Sequence, residues 1–409
     1  MTDPVAIAVD RDGIDSRRSQ FGYWIAAVSI TAIVLGANTP LPILTVYQSL
    51  WGFSTGVLSV VYGLYTAGVL AAVFVLGPAS DLVGRKRVLL PAFGIMAAGL
   101  VLGLLAPNVW ILMASRVLQG LAVGAGVTTA AAALGELNPD PNDHARTALT
   151  ATVATVVGLA GGPLLAGSIA QFAPWPTVTP YLVALALMAI PALGMFAVPE
   201  TVSNLRPFGL QSVVVSIPSG AANAFALAVY VEMTAYAVAG TFAGLGPSFA
   251  RDLLGIEDHF FGGLVVALLF FCSAASQLAC RHWPLRKCML VGLVVLAVGL
   301  VIFAGDVVVG RADLFLLSAA VLGLGHGLAY LGSQELTDRV APPDRRAQIF
   351  SAFQIGLYFG ATVPALIVGF VAGRSGLTAA TLGFAAVVAL LTIAGLAWIV
   401  NSRSAAVQG

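Results

Sequence analysis

The chain has 409 residues, 59% of them hydrophobic and only 9% charged, with a mean hydropathy of +0.96. A soluble domain carries about 25% charged residues, so this composition excludes a water-borne enzyme. The net charge of +1 argues equally against a nucleic-acid partner, which calls for a basic face.

Residues 1–20 carry Asp3, Asp10, Asp12 and Asp15 beside Arg11, Arg17 and Arg18. They contain no apolar core, so a short cytoplasmic tail is expected there rather than a cleaved signal peptide. From Ser19 to Ser80 there is no Asp, Glu, Lys or Arg. Charges and Pro/Gly breaks then divide the chain into twelve spans, at 21–46, 56–79, 87–106, 109–135, 146–170, 179–199, 214–244, 259–280, 286–304, 313–334, 346–371 and 377–401. A hydrocarbon core takes ~20 apolar helical residues to cross, whereas barrel strands run ~10 residues and alternate in polarity. The predicted fold class is an all-α integral membrane protein with twelve transmembrane helices. The 45 glycines suit helices that approach closely in lipid. Cys272, Cys280 and Cys288 are too few for a disulfide framework and read as small apolar filler.

Orientation follows from the cations. With both termini cytoplasmic, the inner segments hold fifteen of the 19, and only Arg251, Arg311 and Arg374 fall in outer loops. Basic residues in short loops stay inside. The halves also echo each other at an offset of about 200 residues: Pro42 with Pro247, Pro163 with Pro364, and the cations at 85–87 with Arg286 and Lys287. Two six-helix bundles follow, at 21–199 and 214–401, joined by a cytoplasmic linker at 200–213 and followed by a tail at 402–409. Repeats of this kind hold their substrate near the bilayer mid-plane, where the copies meet.

Three motifs carry a family resemblance. Between the second and third spans, G-P-A-S-D-L-V-G-R-K-R presents Gly77, Asp81, Gly84, Arg85, Lys86 and Arg87, with Leu82 where a basic residue is usual. The fourth span holds Arg116, Gln119 and Gly120 in R-V-L-Q-G, and the fifth holds Gly158, Gly162, Pro163 and Gly167 in G-L-A-G-G-P-L-L-A-G, where Ala166 replaces a Gly. The chain resembles the major facilitator superfamily, and the last motif resembles its twelve-helix drug/proton antiporter branch. The resemblance implies a transporter in which the first, fourth, seventh and tenth helices line a central cavity.

Arg116, Glu232 and His326 lie inside spans four, seven and ten. A charge at mid-membrane costs on the order of 3 kcal/mol, so each such group needs a partner, water or a proton. Glu232, flanked by Tyr230 and Tyr236, is the expected proton-coupling carboxylate, with a hydrogen bond inside its own bundle as the alternative. The resemblance implies that Arg116 influences a proton site; snorkelling to the headgroups is the alternative, and Gln119 shares its helix face. Asn38, Tyr65, Gln119, Tyr236, His326, Tyr330, Gln354 and Tyr358 are the candidate cavity residues, although a lone His or Tyr in a bundle also serves as packing. The first span has no carboxylate.

The knot at 77–87 is expected to gate. Asp81 would meet the start of the eleventh helix near Arg346–Gln348, and Arg85 would pair with Glu136. The alternative is topology alone, the cations merely holding the loop inside. The fifth-span glycines would offer the other bundle a thin, kinked surface. These readings together imply a monomeric exporter of a small, mostly apolar or drug-like solute, driven by proton antiport, in a bacterial inner membrane. No nucleotide motif, metal spacing, cofactor or catalytic pair is expected. A proton-coupled importer or facilitator of a sugar or metabolite is the rival, with a membrane sensor or enzyme behind it.

Overall fold

The computed structural model describes residues 16–76, 79–140, 143–202, 220–342, 345–402 and 405–408. The tail at 1–15, Gly77, Pro78 and most of the expected linker lie outside the described residues. In chain order the helices are α1 (Ser16–Asn38), α2 (Leu44–Trp51), α3 (Thr55–Leu76), α4 (Ala79–Val83), α5 (Arg85–Leu104), α6 (Val109–Glu136), α7 (His144–Phe172), α8 (Thr179–Ala197), α9 (Ala222–Leu254), α10 (His259–Ala279), α11 (Leu285–Val309), α12 (Ala312–Val340), α13 (Arg346–Ser375), α14 (Leu377–Asn401) and α15 (Ala405–Gln408). Among the described residues there is no β-strand element, and 12 helical segments are long and apolar enough to cross a membrane.

Local chemistry sets where these helices begin and end. Asn108, Asp143 and Asp258 accept from backbone N–H groups that open α6, α7 and α10, groups that otherwise have no partner within the helix. Gly255 and Gly310 close α9 and α11 in the left-handed region. Several boundaries differ from the sequence reading, two of them at prolines, and α9 begins at Ala222 rather than 214. The first span is interrupted by a 3-10 turn at Leu41–Ile43, where Pro40 and Pro42 withhold backbone donors. The seventh runs to Leu254 because Pro247 is carried inside α9 rather than ending it.

The contacts form two units. In the first, α1 packs on α6, α7 and α8, and α5 on α6 and α8. In the second, α9 packs on α10, α12, α13 and α14, and α11 on α12 and α14. The same pairing scheme thus recurs. It is tightest at matched glycines: a Cβ at Gly120 or Gly124 would run into the Tyr65 or Val69 carbonyl of α3, and one at Gly323 or Gly327 into the Leu269 or Ser273 carbonyl of α10. Small residues of this kind let backbones touch without water to drive them together.

Residues 44–63 group with the second unit, whereas the sequence limits left them in the first. Arg251 explains part of this, donating to the Thr45 carbonyl at 3.0 Å and to Gln48 Oε1 at 2.8 Å, and Gly244 packs under the Tyr62 ring. Phe172, Leu193, Phe196, Val301 and Leu390 point outward and are more than half exposed. Such a surface suits hydrocarbon rather than water.

Candidate functional site

In the first unit, α6 buries Arg116 to 1% exposure. The Arg116 Nη1 donates to the Ala37 carbonyl at 2.7 Å, just before the break in the first span, and also to Gln119 Oε1. The guanidinium lies over the Tyr65 ring, 4.8 Å from its centroid, a cation–π contact. Gln119 in turn donates to Ser115 Oγ at 3.1 Å, and Ser115 to the Gly99 carbonyl at 2.8 Å. Arg116, Gln119 and Tyr65 are therefore brought together, and Arg116 sits in a knot of protein acceptors rather than snorkelling. Asn38 turns back on its own helix, donating to the Val34 carbonyl at 2.8 Å.

In the second unit, α9, α10 and α12 build a separate polar cluster. Glu232 is fully buried and accepts at Oε2 from Ser333 Oγ at 2.9 Å, while its Oε1 has no hydrogen-bond partner among the described residues. One turn along α9, the Tyr236 ring stands 4.6 Å from the His326 ring and 6.1 Å from that of Tyr330. His326 and Tyr330 lie parallel on α12, 6.3 Å apart. His326 Nδ1 is hydrogen-bonded to Ser273 Oγ at 2.8 Å, and its Nε2 has no partner among the described residues. Gln277 donates to the same Ser273 oxygen at 3.2 Å, fixing the serine on α10.

Sequence reasoning found Glu232, Tyr236, His326 and Tyr330 but missed Ser333, Ser273 and Gln277. A signal for Ser333 was present: it stands three residues after Tyr330 and seven after His326, on one helix face. Gln354 and Tyr358 lie on α13; the Gln354 Oε1 is also buried without a partner among the described residues, and Tyr358 is an electrostatic neighbour of the Tyr236 hydroxyl.

The knot at α4 and α5 holds Arg85 at its centre. Arg85 donates through Nη2 to Glu136 Oε1 at 2.7 Å and through Nη1 to Ser80 Oγ at 2.6 Å, and it pairs with Asp81. Within its unit Asp81 pairs with Arg85, one turn away, and within the other Arg346 pairs with Asp338 at 3.1 Å. Lys86 reaches the Phe196 carbonyl at 2.7 Å, and Arg87 is exposed. Glu200, which no motif flagged, accepts from the Arg85 and Lys86 backbone N–H groups at 2.8 and 3.1 Å, so it caps α5. Gly84 at φ 108 makes room for that carboxylate, since a Cβ would strike it. The fifth-span motif packs inside its own unit. Gly158 and Gly162 receive Val34 and Leu35 of α1, within the same unit, and Pro163 is buried in α7 beside them. Gly167 is buried one turn further along.

The family model for the Major Facilitator Superfamily matches residues 26–283 and 263–408. The chain is 32% identical over 122 residues to the inner membrane transport protein YajR of Escherichia coli, covering 29% of this chain and 26% of that one. It is 30% identical over 146 residues to myo-inositol transporter 1 of Candida albicans, covering 36% and 24%. The match thus spans about a quarter of each of these relatives. Among solved structures, a POT family transporter in complex with 5-aminolevulinic acid superposes with a TM-score of 0.75 at 12% identity, over 96% of this chain and 97% of that one. By the family model, which matches most of its length, the chain belongs to the Major Facilitator Superfamily, and its 12 long apolar helical segments make it a multi-pass membrane protein.

Proposed function

We propose that this chain is a secondary active transporter that exports a small, mostly apolar or drug-like organic solute in exchange for protons. In this reading the halves at 21–199 and 214–401 alternate access to one site. The termini and the cations at 85–87 face the cytoplasm of a bacterial cell, and the Arg85–Glu136–Asp81 knot steadies one state. Glu232 is the proton carrier, and Arg116 braces the first unit.

The Glu232 carboxyl is the observation that carries this reading. It is fully buried, held at one oxygen by a neutral hydroxyl, and has no partner at the other among the described residues. A buried ionisable group without a countercharge suits a site that a proton enters and leaves. The Tyr236 ring, one turn along α9 from Glu232, and the His326 and Tyr330 rings packed on it favour an apolar or aromatic solute over a polyanion. The rival, import of a polyol or sugar, draws on the similarity to a myo-inositol transporter.

Proton flux in inside-out vesicles, against a panel of lipophilic cations, neutral drugs, sugars and polyols, tests the proposal. A lipophilic compound is expected to discharge the proton gradient in wild type and not in Glu232→Gln. Proton flux driven only by a sugar or polyol would establish the rival.

A further inference from the structure

Ser333 has a choice to make. Its Oγ lies 2.9 Å from Glu232 Oε2 and 3.0 Å from the Tyr330 carbonyl oxygen of its own helix. A serine hydroxyl carries one proton and two lone pairs, so it donates once and can also accept. The Ser333 carbonyl is itself held by Thr337 Oγ1 at 2.9 Å, which fixes this turn of α12.

We propose that Ser333 is a positioning residue that relays the charge of Glu232 to α12. When Glu232 is ionised, the Ser333 hydroxyl donates to Oε2, the stronger of its two options because the acceptor is charged. When a proton arrives on Oε2, it stays there, and the new carboxyl O–H donates to Ser333 Oγ. The Ser333 proton then rotates to the Tyr330 carbonyl; no bond to it breaks, and one proton in all has been added. Tyr330 stacks on His326 and meets Tyr236 edge-on, so the turn that senses the switch also carries the aromatic cluster.

The titratable groups that face Glu232 are Tyr236 on its own helix and Tyr330 on α12; around those two rings stand His326 and Asp338 on α12, Tyr358 on α13 and Tyr62 on α3, and Tyr230 and Glu335 lie on the same turns of α9 and α12. The ionisable side chains of α10 are His259 and Cys272, those of α11 lie near its ends, and α14 has none. Ser333 is the one side chain described as donating to the Glu232 carboxyl.

The relay rests on the reading of Glu232 as the proton carrier, and its test separates the two. Infrared difference spectra of the lipid-reconstituted protein, titrated with acid, report the Glu232 carboxyl band, identified by its loss in Glu232→Gln. Ser333→Ala is expected to move the protonated band to higher frequency, because the carboxyl O–H has lost its acceptor. It is also expected to move the midpoint of the transport profile by about one pH unit to the alkaline side, the worth of a hydrogen bond to a charged group. Ser333→Thr, which keeps the hydroxyl, restores both. A band unchanged in Ser333→Ala, or one that never titrates across the transport range, overturns the relay. If Glu232→Gln transports protons as wild type does while the band still answers to Ser333→Ala, the proton-carrier reading fails and the relay stands.

Discussion

Arg116 and Glu232 each bury an ionisable group within a unit of the same design, but they are held in opposite ways. Arg116 is gripped from three helices, by the Ala37 carbonyl on α1, Gln119 on α6 and the Tyr65 ring on α3. Glu232 is touched at one oxygen by Ser333 and has no partner at the other among the described residues. The offset that relates Gly120 to Gly323 puts Ala319 opposite Arg116, and the offset of Pro42 to Pro247 puts Ala27 opposite Glu232. The repeat has therefore preserved backbone packing while the polar chemistry of the halves diverged. A group with several partners braces its helices; a group with a spare oxygen is free to take a proton.

Substitutions can break this comparison. The largest effect is expected from Glu232→Gln, which should abolish proton-coupled transport while leaving the melting temperature near that of wild type. Equal loss of both would make Glu232 a brace like Arg116. Arg116→Met, of similar volume, should do the reverse. It leaves the Ala37 carbonyl and Gln119 without their donor and should cost about 1–3 kcal/mol of stability, read by thermal melting, with the proton-to-solute ratio of the surviving protein unchanged. Gly120→Ala and Gly323→Ala sharpen the shared part, because each pushes a methyl group into a facing carbonyl. Both should lose about 1–3 kcal/mol, as overpacked sites do, and by similar amounts; a large disparity would argue against equivalent packing. Tyr65→Phe, which keeps the ring face under the guanidinium, should lie near wild type, whereas Tyr65→Ala should cost about 1 kcal/mol.

Much of the fold was legible because charge marks the ends of spans and long apolar runs mark their interiors. The twelve spans and the Arg85–Glu136 contact could be read this way. Prolines misled in both directions: Pro247 looked like an end and is a helix interior, while the break at Leu41–Ile43 was read as continuous helix. Asp81 pairs with Arg85 one turn away, and the fifth-span glycines pack on α1 of their own unit, contacts that the motifs do not single out. Glu200 was passed over because a carboxylate at the end of a span reads as topology, and only the geometry reveals a cap. Ser333 shares a helix face with His326 and Tyr330, but Ser273 has no such neighbour in sequence, and hydroxyls are common enough in helices that spacing alone does not single it out.

The most direct test is solute-induced proton release from the purified protein, comparing wild type, Glu232→Gln and Arg116→Met. Release is expected from wild type and from Arg116→Met, and none from Glu232→Gln. Undiminished release from Glu232→Gln would contradict the assignment of proton exchange to this carboxyl.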